Sequence, residues 1–319
     1  MTAYLLRRIP SALAVLFGAS VLIFALLRLV PGDPATVLAG SDATPQAVDA
    51  VRHQLGLDRP LLAQYISWLT DLLTGDPGRS YLIGGQITEL IAHGLTNTLV
   101  LTAAALLFAV VVSLSVSLAS VLWPKRWLNA IVAAANTLAV AIPNFVTSVL
   151  LVLIFAIAIP ILPAGGVPPD GFIAHPDIAV QYLLLPALCL GLPVAAALTR
   201  FLTESLRTEL RKPYVLTARA LGVSHRRIVT HSALRNALPA MLTSLGIQTG
   251  QLLGGAVIVE AAFAWPGIGQ LIEQGISRRD YPVVQVLLLL SVAVFVAIQL
   301  ITDIAHAWLD PRIRIGGRA

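Results

Sequence analysis

LTNTLVLTAAALLFAVVVSLSVSLASVLW, residues 95–123, runs without a single charged side chain. A helix of about 29 residues at 1.5 Å per residue rises about 44 Å, more than the roughly 30 Å hydrocarbon core of a bilayer. The same signal recurs on both sides of it. Residues 9–30, 128–162, 181–206 and 283–305 form apolar runs, and a weaker one at 239–261 carries Gln248, Gln251 and Glu260. The run at 9–30 holds only Arg28 and exceeds the apolar stretch of a signal peptide, so it is expected to be retained as a span. The run at 128–162 is too long for one untilted helix. Pro143 divides it, but no glycine or charge lies between Leu128 and Phe155 to form a turn, which predicts one kinked or tilted span. The fold class is therefore an all-α polytopic membrane protein with six transmembrane helices.

Composition agrees. Of 319 residues, 57% are hydrophobic and 12% charged, about half the roughly 25% usual in soluble domains. A mean hydropathy of +0.84 also excludes disorder, which needs low hydrophobicity and high net charge. The net charge of +5 would suit nucleic acid in a soluble protein, but fifteen of the 21 cations fall on one side of the six spans. That asymmetry predicts an N-in, C-in topology and removes the nucleic-acid reading. The expected map has a cytoplasmic N-terminus at 1–8, a cytoplasmic loop at 207–238 and a cytoplasmic tail at 306–319. Extracytoplasmic segments occupy 31–94, 163–180 and 262–282.

Both long loops carry helix punctuation. In 31–94, Thr44 and Pro45 suit an N-cap followed by a first helical position, and a second helix is expected from Pro60 to Leu73. This segment either caps the cavity, contacts a soluble partner, or merely connects spans. In 207–238, Pro213 starts a helix that Gly222 stops, and Ser224 N-caps another expected to end near Pro239. A basic hairpin lying on anionic lipid competes there with a docking element for a cytoplasmic partner.

Catalytic chemistry is missing from the pattern. The two lysines, Lys125 and Lys212, follow no glycine, so there is no phosphate-binding GxxxxGK loop. Cys189 is the lone cysteine, and six scattered histidines suit no shared metal, so no catalytic and no metal residues are assigned. An intramembrane serine protease would need a serine and a histidine at matching depth, whereas His93, His225 and His231 flank spans. What remains is polar residues inside spans. Asn97, Asn144, Gln248, Gln251 and Glu260 are the candidates for a translocation path, with hydrogen bonding between helices as the competing role for the amides.

The string YVLTARALGVSHRRIVTHSALRNALP, Tyr214 to Pro239, resembles the EAA loop of binding-protein-dependent ABC importer permeases of the dipeptide, oligopeptide and nickel branch. PGDP at 31–34, LGLDRPLLAQY at 55–65, GDPGRSY at 75–81, IPNF at 142–145, EAAFAWPGIGQL at 260–271, RDYPVVQ at 279–285 and DPRIR at 310–314 are similar to further landmarks of that branch, in order along the chain. The LVPGDP entry resembles the first, B-type, permease of the pair. The resemblance implies a type I importer transmembrane domain, with residues 76–305 as the permease domain, in a bacterial plasma membrane. It implies a second homologous permease forming a heterodimer, two cytoplasmic ATPase subunits that bind ATP and Mg, an extracytoplasmic solute-binding protein, and no cofactor in this chain. By the same resemblance Thr217, Ala218, Arg219, Ala220, Leu221 and Gly222 form the coupling helix that meets an ATPase. Leu221 stands where lysine is common, and GDPGRSY departs from the usual pattern at Pro77 and Arg79. Short peptides are the expected solute, with nickel or another small solute as the alternative. An ion-coupled secondary transporter is the rival class, for which the sequence offers no visible inverted repeat and no buried charge cluster.

Overall fold

In the computed structural model, which describes residues 2–309 except 31, 32, 41 and 170, regular structure is helical apart from one isolated β-bridge between Arg79 and Gln86. In chain order the helices are α1 (Thr2–Leu29), α2 (Pro34–Ala39), α3 (Pro45–Gln54), α4 (Leu61–Leu73), α5 (Ile87–Leu122), α6 (Arg126–Ala141) and α7 (Asn144–Val152). They continue as α8 (Gly171–Ala174), α9 (Pro176–Glu209), α10 (Pro213–Ala220), α11 (His225–Arg227), α12 (Leu234–Ala262), α13 (Ile268–Arg278) and α14 (Tyr281–Leu309). Four helices are long and apolar enough to cross a bilayer, and two bent pairs raise the number to six by length and composition. The PGDP landmark falls partly, and DPRIR with most of the 306–319 tail wholly, outside the described residues.

Three sequence expectations need correction. The run at 128–162 is not a kinked rod: α6 and the arm formed by α7 with the π-helical turn Leu153–Ala158 meet at 106°. Ile142 is extended and Pro143 has no N–H to give back to the preceding turn, so the helix ends there and restarts. The helix after Ser224 does not end near Pro239. It passes through a π-helical turn, Ile228–Ala233, and runs on as α12 with Pro239 inside it. Proline biases against helix continuation, yet long apolar helices tolerate it because neighbouring groups re-satisfy the freed carbonyl. Finally, Ser224 holds the N-cap position with extended backbone, but its side chain makes no capping hydrogen bond.

The chain divides into two compact units. One comprises residues 99–265 with the chain from 297 onward. Its core is fully buried leucine from α5, α9 and α12, including Leu101, Leu198, Leu202 and Leu252, closed by Phe263 and Trp265. Glycine sets two close approaches. A Cβ on Gly191 of α9 would come within 2.8 Å of the Ala105 carbonyl oxygen on α5. A Cβ on Gly165 would lie 2.2 Å from the Phe263 carbonyl oxygen, which accepts a hydrogen bond from the Gly166 N–H at 2.8 Å. The 163–168 loop thus closes against the end of α12.

The other unit comprises residues 2–98 and 266–296. Its core is Ile87, Ile268, Ile272, Val283, Val286 and Leu287. Phe24 of α1 packs on Tyr65 and Trp68 of α4, with ring centroids 5.4 and 6.2 Å apart, and the hydroxyls of Ser20 and Tyr65 lie 2.8 Å apart. The N-cap at Thr44 is present, its Oγ1 accepting from the Ala47 N–H at 3.3 Å, and α4 begins one residue after Pro60. Asp33 caps α2 by accepting from the Ala35 N–H at 3.0 Å, while Arg52 of α3 donates to its other oxygen at 2.5 Å. Burial alone would raise the Asp33 carboxyl, but the Arg52 guanidinium and the Ala35 amide outweigh it and hold it below the usual value of 3.8. A lowered folded-state value means that this tie is complete above pH 3.8 and is lost as pH falls through the still lower folded value. Hydrogen exchange at the Ala35 amide, corrected for its intrinsic pH dependence, should therefore speed up in acid below about pH 4 and, in Asp33→Asn, already at neutral pH. Equal protection at pH 3 and pH 6 would rule the tie out.

Candidate functional site

The loop between α9 and α12 is built around one buried carboxylate. Glu209, at the end of α9, is only 7% exposed and accepts from Lys212 Nζ at 2.5 Å and from the Tyr214 hydroxyl at 3.1 Å. Asn236, at the start of α12, donates to the Tyr214 oxygen at 3.4 Å. Burial, together with the Glu209 carboxylate, raises the Tyr214 phenol above its ordinary value despite the opposing Asn236 bond, so it stays a neutral donor at physiological pH. These bonds join the start of α10 to the helices on either side of it. Spacing alone does not reveal Glu209, Tyr214 and Asn236 as positioning residues; the only cue is a glutamate three residues before a lysine next to Pro213.

α10 begins at Pro213, where the missing N–H is no loss, and buries Val215 as its one anchor. It ends by a paired motif: the Gly222 N–H donates to the Arg219 carbonyl and the Val223 N–H to the Ala218 carbonyl, each at 3.0 Å. Such a Schellman closure needs a left-handed residue, and Gly222 supplies it at φ +78. Thr217, Arg219, Ala220 and Gly222 are exposed and Ala218 half-buried. Leu216 and Leu221 are 72% and 78% exposed. Two bare leucines on a short helix that is held rigidly at its base suit a partner's groove better than solvent.

The five polar span residues do not form one cluster. Asn97 donates to the Pro266 carbonyl at 2.9 Å, beside the Thr98 hydroxyl that caps α13 by accepting from the Ile268 N–H at 2.9 Å, so its visible bond is structural. The other four belong to the unit of residues 99–265. Asn144 opens α7, and its carbonyl accepts from the Cys189 thiol at 3.2 Å. Its Nδ2 lies 3.1 Å from where a Cβ on Gly255 would stand, so the glycine makes room for the amide against α12. Gln248 is buried, Gln251 one turn on is exposed, and the Glu260 side chain is 0% exposed. A cavity of about 640 Å³ in this unit is lined by Asn136, Thr137, Thr199, Arg200 and Glu204 among others, and includes none of the five. Among the described residues, no three His, Cys, Asp or Glu side chains are grouped to hold a metal ion.

Relatives carry the same plan. Residues 112–315 match the family of binding-protein-dependent transport system inner membrane components, and residues 1–102 match the N-terminal segment of such membrane components. The glutathione transport system permease protein GsiC of Salmonella choleraesuis is 36% identical over 314 residues, covering 98% of this chain and 99% of that protein. The GsiC protein of Escherichia coli is 35% identical over the same length and coverage. Among solved structures, an inward-facing form of the MetNI methionine ABC transporter superposes with a TM-score of 0.56 at 22% identity, covering 69% of this chain and 96% of that one. That likeness speaks to the fold, an ABC importer transmembrane domain. With matches that together reach from one end of the chain to the other, the protein belongs to the family of binding-protein-dependent transport system inner membrane components.

Proposed function

We propose that this chain is a permease subunit of an ATP-driven importer of short peptides or glutathione-like peptides. It spans the plasma membrane beside a second, homologous permease, and it works with two ATPase subunits and an extracytoplasmic solute-binding protein. The observation that carries the reading is α10, a short helix tied down through Glu209 and Tyr214 and offering Leu216 and Leu221 to a partner. In this reading residues 217–222 meet a cytoplasmic ATPase, residues 31–94 lie on the outer side, and movement of the helix as a rigid body switches the spans between inward-open and outward-open packing. In this reading Asn144, Gln248, Gln251 and Glu260, carried by α7 and α12, line the path. GsiC, a full-length relative named for glutathione transport, supports the solute class.

Uptake by proteoliposomes containing the chain with its partner permease and ATPases tests this directly. Accumulation of glutathione or a dipeptide should require both internal ATP and the binding protein. Uptake driven by an ion gradient without the ATPases would overturn the reading in favour of secondary transport, and stimulation by nickel chelates alone would overturn the solute.

A further inference from the structure

The cavity of about 640 Å³ in the unit of residues 99–265 includes neither α10 nor the residues assigned to the path. It lies where α6 packs on α9, with Ser120 of α5 in its wall. Its lining changes character along both helices. The first turn of α6 contributes Asn129, and the last turns of α9 contribute Arg200, Glu204 and Arg207. The far end of α6 contributes Val140 and Ala141, and the middle of α9 contributes Ala196 and Ala197. Asn129 to Val140 and Ala196 to Arg207 are each eleven positions, so polar and apolar ends stand about 16 Å apart at 1.5 Å per residue. With the termini inside, the start of α6 and the end of α9 are both cytoplasmic. Trp123 and Trp127, each 60% exposed, flank Lys125 and Arg126 and mark the level at which α6 meets the inner face of the bilayer.

Arg200, Glu204 and Arg207 are all the charged side chains that line this cavity, one or two turns apart on one face of α9 and exposed, so a ligand there can touch them. None of the three forms an ion pair among the described residues, and the Arg200 guanidinium lies 5.8 Å from the Phe201 ring centroid. Two guanidiniums against one carboxylate leave the polar end with one positive charge. The half-buried side-chain amides of Asn129 and Asn136 on α6 make no hydrogen bond among the described residues either. Arg200 sits seven positions, about 10 Å, deeper along α9 than Arg207, where an unpaired charge in a span is costly. A water-soluble anion would leave the apolar end empty, and an uncharged hydrocarbon would leave the arginines unpaired. We propose that this cavity binds one anionic glycerophospholipid of the inner leaflet. Its phosphate lies on Arg200 and Arg207, its headgroup hydroxyls donate to Glu204, its ester oxygens accept from Asn129 and Asn136, and one acyl chain runs along Val140, Ala141, Ala196 and Ala197. The inference rests on the orientation proposed above, with α10 on the cytoplasmic side, and on neither the solute nor ATP.

Native mass spectrometry of the assembled transporter, stripped of lipid in detergent and titrated with dioleoylphosphatidylglycerol, tests it. One phosphatidylglycerol should be retained about tenfold more tightly than dioleoylphosphatidylcholine or dioleoylphosphatidylethanolamine. Arg200→Gln and Arg207→Gln should each weaken it about tenfold, and the double variant should lose it. Ala141→Phe, which fills the apolar end and spares both arginines, should weaken it similarly. Equal affinity for the anionic and zwitterionic lipids overturns the proposal in the unmodified transporter, so the outcome does not depend on whether a variant assembles. Retention by the double variant overturns it as well. Glycerophosphoglycerol, the same headgroup without chains, is the second arm: binding as tight as that of the lipid makes this a site for a soluble phosphate and overturns the lipid. Displacement of the lipid by an equal concentration of dialanine puts the cavity on the solute's route, and no retained phosphatidylglycerol means that the partner permease or water fills it; either result overturns the proposal. Because neither hydrolysis nor uptake is measured, failure here is distinguishable from failure of the import reading.

Discussion

Gly222→Val is expected to cut solute-stimulated ATP hydrolysis by the assembled transporter about tenfold or more while leaving the chain in the membrane at normal levels. No atom lies within 4 Å of where its Cβ would be, so steric crowding is not the cause. The backbone is: at φ +78 an L-residue costs about 1–2 kcal/mol, and a β-branched one more. Relaxing that strain breaks the bonds from Gly222 to Arg219 and from Val223 to Ala218, which end α10 and aim the chain at the next helix. A cost of that size shifts the loop between conformations by about 5–30-fold, so solute-stimulated hydrolysis should fall about tenfold or more. Gly222→Asn is the control. Asparagine tolerates the left-handed region, and this variant should keep most of the coupling. Normal coupling in the valine variant would remove the assignment of residues 217–222 to the ATPase contact.

Asp280→Ala should have the largest effect on structure. Asp280 Oδ2 accepts from the Ser80 hydroxyl at 2.6 Å, the Leu82 N–H at 2.9 Å and the Ile83 N–H at 3.2 Å. Ser80 in turn accepts from the Ile83 and Gly84 amides at 3.0 and 2.8 Å, so one carboxylate organises the whole 80–84 turn. Bonds to a charged group contribute about 1.5–3 kcal/mol each, and their loss together should destabilise the turn by about 3 kcal/mol or more. The Leu82 amide, left with no acceptor, should lose about a hundredfold of its protection from hydrogen exchange. Asp280→Asn keeps a carbonyl oxygen without the charge and should lose roughly half as much. Unchanged exchange at Leu82 in the alanine variant would show that the turn is held by other means.

Local chemistry explains what was legible beforehand. Thr44 with Pro45, and Pro213 with Gly222, lie within a few residues of what they control, and caps and helix stops are decided over that range. Apolar runs are equally local, and so α1, α5, α9 and α14 are readable as spans. Pro143 shows where local reading stops. Proline announces a break, but 106° rather than a gentle kink depends on what packs on each arm, and α6 and α7 both lie against α9. Pro239 shows the converse, a break signal overridden inside a long helix.

The candidate sites divide in the same way. α10 was legible because its start, its stop and its residues are contiguous. The polar path residues were not, because an amide in a span says only that it has a partner: Asn97 finds the Pro266 carbonyl and Asn144 sits over Gly255. By itself the sequence determined six apolar spans, the charge asymmetry across them and a punctuated loop, since hydropathy, charge and cap chemistry act through neighbours in the chain. Only the tertiary structure decided that Glu209 holds α10 to α9 and α12 through Tyr214, and that Ser80 meets an aspartate 200 residues away. Those depend on which distant surfaces pack together, and burial turns an ordinary polar side chain into one that must find a partner.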